Sequence, residues 1–321
     1  MKKIGYLLIT ISLLIGIANF FFKNKTIATI VTNQVIDSAN CWTGAGPYQI
    51  PTDSLGKQIQ YGRNLIANTA YYLGPAGIVA HQTNGMNCQN CHLEAGTKPW
   101  GNNYGAVASL YPKYRDRSGK IESIEMRVND CLQRSLNGQP LDSLSKEMLA
   151  IKAYFLWLGK NISKGTKPKG TGIQDLPFLT RAANPIEGEK LYSTNCLKCH
   201  LANGQGQAAI DGIGYLYPPL WGEHSYNNAA GLFRISRLAG FIKNNMPNPV
   251  NYHHPILSNE AAWDIAAYIN SQPRPSKNQD GDWPNKAKKP IDYPYGPYAD
   301  SFSEMQHKYG PYDAIVKARK K

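Results

Sequence analysis

Two pentapeptides hold the residues whose spacing is most specific for chemistry: Cys88-Gln89-Asn90-Cys91-His92 and Cys196-Leu197-Lys198-Cys199-His200. Two thiols three positions apart can each form a thioether to one porphyrin, and the histidine that follows is placed to ligate its iron. A single copy could be a redox pair. Two copies, each preceded by a short helical pattern, predict two covalently bound haem c groups, attached through Cys88 and Cys91 and through Cys196 and Cys199. His92 and His200 are then the proximal iron ligands.

Each iron also needs a partner on its other face. For the second, Met246 lies 46 residues beyond His200 in Asn245-Met246-Pro247-Asn248-Pro249. The prolines favour an extended backbone that presents the thioether, and methionine ligation favours ferrous iron and raises the potential. Lys243 is the alternative ligand. For the first iron no Met-Pro element exists. Met126 and Met148 are available, although Met148 falls on an apolar face. The conspicuous residue is Cys131, 39 residues beyond His92. If residues 121–136 form a helix, Arg127, Cys131 and Ser135 share one face and Arg134 lies beside it. A thiolate among guanidinium groups is both a ligand and a nucleophile. As an anionic ligand it lowers the potential, so the two haems would be graded from a reactive site to an electron exit. In an oxidising compartment a Cys41–Cys131 disulfide is the competing expectation.

The elements that must position these groups repeat. Apolar residues from Leu55 to Leu73 predict a helix leading into the first motif, and a closing helix runs from Ser145 to Gly159. A Lys-, Gly- and Pro-rich linker spans 160–169. Asn184, Pro185 and Glu187 then start the helix before the second motif, and a closing helix follows Ser258. The expected organisation is all-α: two tandem class I cytochrome c-like domains over 54–165 and 166–274, with a leader or anchor over 1–25, an irregular segment over 26–53 and an extended tail over 275–321. The tail is too rich in Tyr and Trp for a disordered segment, and it is expected to wrap over both modules.

Lys2 and Lys3 followed by the apolar run Ile4–Phe22 predict export, by a cleaved leader or an uncleaved inner-membrane anchor. That places the protein in the periplasm or outside the cell. The net charge of +13 argues for an anionic substrate or an acidic redox partner. Nucleic acid is excluded as a partner by export and by the absence of a binding motif.

Three segments taken together resemble the dihaem thiosulfate dehydrogenases. They are Tyr61-Gly62-Arg63-Asn64-Leu65-Ile66, Tyr114-Arg115-Asp116-Arg117-Ser118-Gly119, and Arg127 to Gly138 around Cys131. The tail segments Asp292 to Tyr298 and Gln306 to Pro311 are similar to that family's as well. The resemblance implies interconversion of thiosulfate and tetrathionate, with Cys131 ligating the first haem and taking part in sulfur chemistry. It implies further that Arg117 and Arg127 hold the anionic substrate with help from Ser135, and that electrons pass to an external carrier such as another c-type cytochrome. Some members carry a lysine just before the second-haem methionine that exchanges with it. Asn245 occupies that position here, so no exchange is expected. Two other functions compete: a non-catalytic dihaem electron carrier, and a relative of the haem-cysteine subunit of the Sox system.

Overall fold

The computed structural model describes residues 41–320, so the expected leader or anchor and most of the 26–53 segment lie outside the described residues. Helix α1 (Ser54–Ala67) starts where the Asp53 carboxylate accepts a hydrogen bond from Gly56 N at 2.7 Å, satisfying an amide that a helix start leaves without a partner. Ile59, Gly62, Leu65 and Ile66 form its buried face, whereas Leu55, read as part of that face, is 55% exposed. The single helix expected to Leu73 is broken. Asn68 leaves helical geometry (φ −127°, ψ 44°) before α2 (Thr69–Leu73) resumes. The break docks the first haem motif: Ala70 N donates to Asn87 Oδ1 at 2.8 Å, and Cys88 N donates to Thr69 Oγ1 at 2.9 Å.

Short helices α3 (Leu93–Gly96) and α4 (Val107–Leu110) follow, then an antiparallel hairpin of β1 (Lys113–Arg115) and β2 (Lys120–Glu122). The helix expected over 121–136 is α5 (Ile124–Arg134). Its start is displaced because Ile121 pairs with Tyr114 in the hairpin, and Ser123 caps the helix by accepting from Met126 N. Helix α6 (Lys146–Leu158) closes the module between the Ser145 cap and Gly159, with Met148 fully buried in the core.

The second module repeats the plan with α7 (Pro185–Asn195), α8 (Leu197–His200), the hairpin β3 (Gln207–Ala208) and β4 (Tyr215–Tyr217), α9 (Ile235–Asn245) and α10 (Asn259–Ser271). Asn184 Oδ1 accepts from Ile186 N and Glu187 N to start α7. In the tail, α11 (Glu304–Tyr309) and α12 (Asp313–Ala318) interrupt an otherwise mostly irregular path.

Two cores result, and neither respects the sequence repeat. The first gathers Leu65, Tyr154 and Trp157 but also takes Tyr226 and Phe233 from the second module, with tail residue Tyr295 against it. The second gathers Tyr192, Trp263 and Ile265 and takes Tyr312 and Ile315 from the tail. Each fully buried large apolar side chain contributes about 1.5–3 kcal/mol, so these crossing residues bind the parts together. All six cysteines are free. Cys41 is buried against Gly170, and the alternative of a Cys41–Cys131 disulfide is not realised. Among the described residues no helix is long and apolar enough to cross a membrane.

Both modules bring their first and last helices together at a glycine. A Cβ on Gly62 would lie 2.0 Å from the carbonyl oxygen of Ala150, and one on Gly188 would lie 1.9 Å from that of Asp264. Backbone cannot yield as a side-chain tip can, so the helices would have to separate. Gly188→Ala is expected to destabilise the protein by about 1–3 kcal/mol or more, seen as a lower melting temperature. An unchanged melting temperature would mean that α7 and α10 tolerate a wider spacing.

Candidate haem and anion site

The first motif lines an apolar slot whose walls include Leu65, Leu73, Tyr104, Leu132 and Phe155, together with Cys88, Cys91 and His92. His92 Nδ1 donates to the Asn102 carbonyl at 2.5 Å, and Tyr104 stacks on the imidazole at 4.4 Å between ring centroids. Burial pushes the His92 pKa down to about 4, which keeps the ring neutral. A neutral imidazole with Nδ1 engaged leaves Nε2 as a metal ligand in a fixed orientation. Trp100 and Asn102, on either side of Gly101, both adopt left-handed backbone conformations (φ 55° and 58°) to bring that carbonyl into place. Apolar walls, paired thiols and a tied imidazole are the donor set that haem c requires.

A second, polar cavity of about 290 Å³ adjoins the slot. It is lined by Arg115, Arg117, Arg127, Arg134, Arg234 and Arg237, with Asp130 and Trp283. Cys91, His92, Asn102, Arg127, Cys131 and Ser135 border both spaces. Arg127, Cys131 and Ser135 therefore do share a face of the α5 region, and that face looks onto the slot and the cavity at once.

The arginines differ in how far they are compensated. Arg127 Nη1 donates to Asp130 Oδ2 at 2.5 Å, and Arg134 Nε bonds the other oxygen of that carboxylate. Burial alone would raise the Asp130 carboxyl, but Arg127, Arg134 and Arg117 outweigh it and hold it below the usual carboxylate range. The Cys131 sulfur does most to hold Arg127 charged, against burial and with help from Asp130. Arg234 is matched by the buried Asp292, Nε to Oδ1 at 2.9 Å, and Arg237 by Asp175 at 2.9 Å. Arg115 has Glu122 only at 3.8 Å but is partly exposed to water, whereas Arg117 is both buried and loosely paired. It is only 9% exposed, donates to the Ala229 carbonyl at 2.9 Å, and has its carboxylate contact, Asp282, at 3.9 Å. Burial pushes its guanidinium pKa down, and Tyr293 and Asp130 only partly offset that. A buried cation short of counter-charge beside a cavity is a place for an anion.

In the second module His200 Nδ1 donates to the Pro218 carbonyl at 2.9 Å, again leaving Nε2. Cys196 and Met246 both pack against the second core, and Met246 caps α9 with an extended backbone (φ −128°, ψ 149°). The Lys243 ammonium is bonded to the Leu257 carbonyl. Asn245 Nδ2 bonds the carbonyls of Phe241 at 3.0 Å and Trp100 at 3.2 Å, which ties α9 to the first module.

Arg117, Arg127, Cys131 and Ser135, grouped from the sequence, all line this cavity, and Arg115, Arg234, Arg237, Asp130 and Trp283, not singled out there, line it as well. Arg115 was legible as the strand residue two positions before Arg117. Arg234 and Arg237, at the start of α9, carry no signal that they face the other module.

Residues 79–166 match a family described as the SoxA/TsdA cytochrome c domain, and residues 186–273 match cytochrome c. Two such domains carry two covalently bound c-type haems. The chain is 38% identical over 237 residues to a thiosulfate dehydrogenase of Psychrobacter arcticus, covering 74% of this chain and 69% of that one. It is 37% identical over 230 residues to the thiosulfate dehydrogenase of Allochromatium vinosum, covering 70% and 82%. Among solved structures, the "as isolated" form of thiosulfate dehydrogenase (TsdBA) from Marichromatium purpuratum aligns with a TM-score of 0.67 at 31% identity. That alignment covers 74% of this chain and 50% of that protein, so the chain spans about half its length. On this combination of sequence, domains and fold, the chain belongs to the thiosulfate dehydrogenase family.

Proposed function

We propose that this exported dihaem cytochrome joins two thiosulfate ions through their outer sulfurs to give tetrathionate, releasing two electrons, and can run the reverse. The observation that carries this is Cys131 on the wall between a haem slot and an arginine-lined cavity. Bound haem supplies an iron that accepts electrons one at a time. Cys131 faces the slot that also holds His92, and its sulfur would help to hold the iron there and would meet the substrate's outer sulfur. Arg117 receives one dianion because it is buried and short of counter-charge, and Arg127 stands beside the Cys131 sulfur on the same wall. Bidentate guanidinium bonds offset the repulsion between two dianions brought together. Ser135, at the end of α5, offers a hydroxyl to the same space.

His200 and Met246 would hold the second iron, which would pass electrons on to an external carrier such as another c-type cytochrome. The N-terminal apolar segment directs the chain across the membrane. A pure carrier would have no need of a buried, under-compensated arginine beside a free thiol, which favours the enzyme reading.

With thiosulfate and an artificial acceptor, or with tetrathionate and a reduced donor, the wild-type protein should turn over. Cys131→Ala should retain both haems and lose essentially all activity in both directions. Turnover close to wild type in that variant would refute the mechanism. Alkylation of denatured, unreduced protein should label only Cys41 and Cys131, because thioethers occupy the other four of the six cysteines. Label at Cys88, Cys91, Cys196 or Cys199 would contradict double haem attachment.

A further inference from the structure

From the contacts that the tail makes with the cavity, we infer that Asp282 and Trp283 form a positioning element for the substrate arginines. The inference rests on the thiosulfate reading and adds to it a part of the chain outside both haem domains. The Asp282 carboxylate takes Arg134 in a two-pronged pair, Nη1 to Oδ2 and Nη2 to Oδ1, both at 2.8 Å. Since Arg134 Nε simultaneously bonds Asp130, and Asp130 bonds Arg127, a continuous chain of alternating charges runs from the tail to the residue that borders Cys131. Asp282 is also the carboxylate nearest Arg117, at 3.9 Å, so one tail residue faces two cavity cations.

Trp283 completes the arrangement. Its backbone N–H donates to the Arg117 carbonyl at 2.7 Å, and its ring lies 5.6 Å from the Arg117 guanidinium while lining the cavity. Tyr293, also from the tail, lies 5.8 Å from the same guanidinium. Trp283 holds a left-handed backbone conformation (φ 57°), which is unfavourable for a residue with a large side chain and persists only where the surroundings impose it. The next residue, Pro284, packs so closely on the hairpin turn that a Cβ at Gly119, itself at φ 65°, would lie 2.6 Å from its Cγ. The tail therefore grips the turn that carries Arg117 from backbone, ring and carboxylate together. A fork-shaped ion pair and aromatic contacts restrict a guanidinium to one orientation, and an arginine already oriented loses less freedom when an anion binds.

The experiment measures steady-state kinetics and thiosulfate binding, the latter by titrating the haem absorbance of resting protein. Asp282→Asn should raise KM for thiosulfate and the dissociation constant by about tenfold, with kcat changed much less. Asp282→Glu should recover part of the loss, and Trp283→Leu should behave like Asp282→Asn. Asp280→Asn removes the same charge two residues away at an exposed position and should leave both constants at their wild-type values. If Asp282→Asn fails to accumulate with two haems, Trp283→Leu and Asp282→Glu carry the test. The proposal is overturned if the folded variants bind thiosulfate as wild type does, or if kcat falls while KM and the dissociation constant stay put. A wild-type protein that neither binds nor turns over thiosulfate would instead refute the functional reading beneath it.

Discussion

Guanidinium groups taken out of water must find counter-charge, and the architecture around Cys131 follows from how that demand is met. Asp130 serves two arginines at once, Asp292 serves Arg234 from within the protein, and Asp282 reaches in from the far end of the chain. Compensation is looser at Arg115 and Arg117, whose carboxylate contacts stand off at 3.8 and 3.9 Å, and of these two only Arg117 is buried. A cavity with all its charges matched would repel nothing and attract nothing. One with none matched could not be buried. Leaving one buried arginine short satisfies both requirements, since such a cavity can fold without an anion and would still gain by binding one.

The haem side obeys a simpler rule. In both modules the histidine after the second cysteine spends Nδ1 on a backbone carbonyl, of Asn102 in one case and Pro218 in the other. That choice fixes ring tautomer and direction together, so the imidazole geometry is inherited from loops held by main-chain bonds rather than from mobile side chains. The sulfur groups near the two histidines differ. A sulfur beside arginines borders the first slot, and a thioether at a helix end lies against the second core.

Much of this was legible in the residues, because the signals were local. Helix caps at Ser145 and Asn184 use bonds between neighbours, and the cysteine motifs are pentapeptides. The shared face of Arg127, Cys131 and Ser135 follows from helical periodicity, and it survived even though the helix begins at Ile124 rather than Ile121. What could not be read was whatever depends on distant partners. The break at Asn68 exists because Asn87 and Cys88 bond into it, and nothing between Leu55 and Leu73 announces that. Arg234 and Arg237 look like any solvated helix start until the second module is set against the first. The tail's aromatic content pointed to packing, but only the fold shows that Trp283 meets Arg117.

The loop that orients His92 has one further consequence. Trp100, two residues before Asn102, accepts a hydrogen bond from Asn245 in the other module, and Lys98 reaches the Val250 carbonyl at 3.2 Å. Tyr226 and Phe233 meanwhile sit in the core of a module to which they do not belong by sequence. Residues 41–320 accordingly form one compact unit despite their internal repeat. Proteolysis at the 160–169 linker would release no pair of small cytochromes. The cleaved halves would stay clasped, and if pulled apart each would show water the apolar side chains and bare carbonyls that the other now covers.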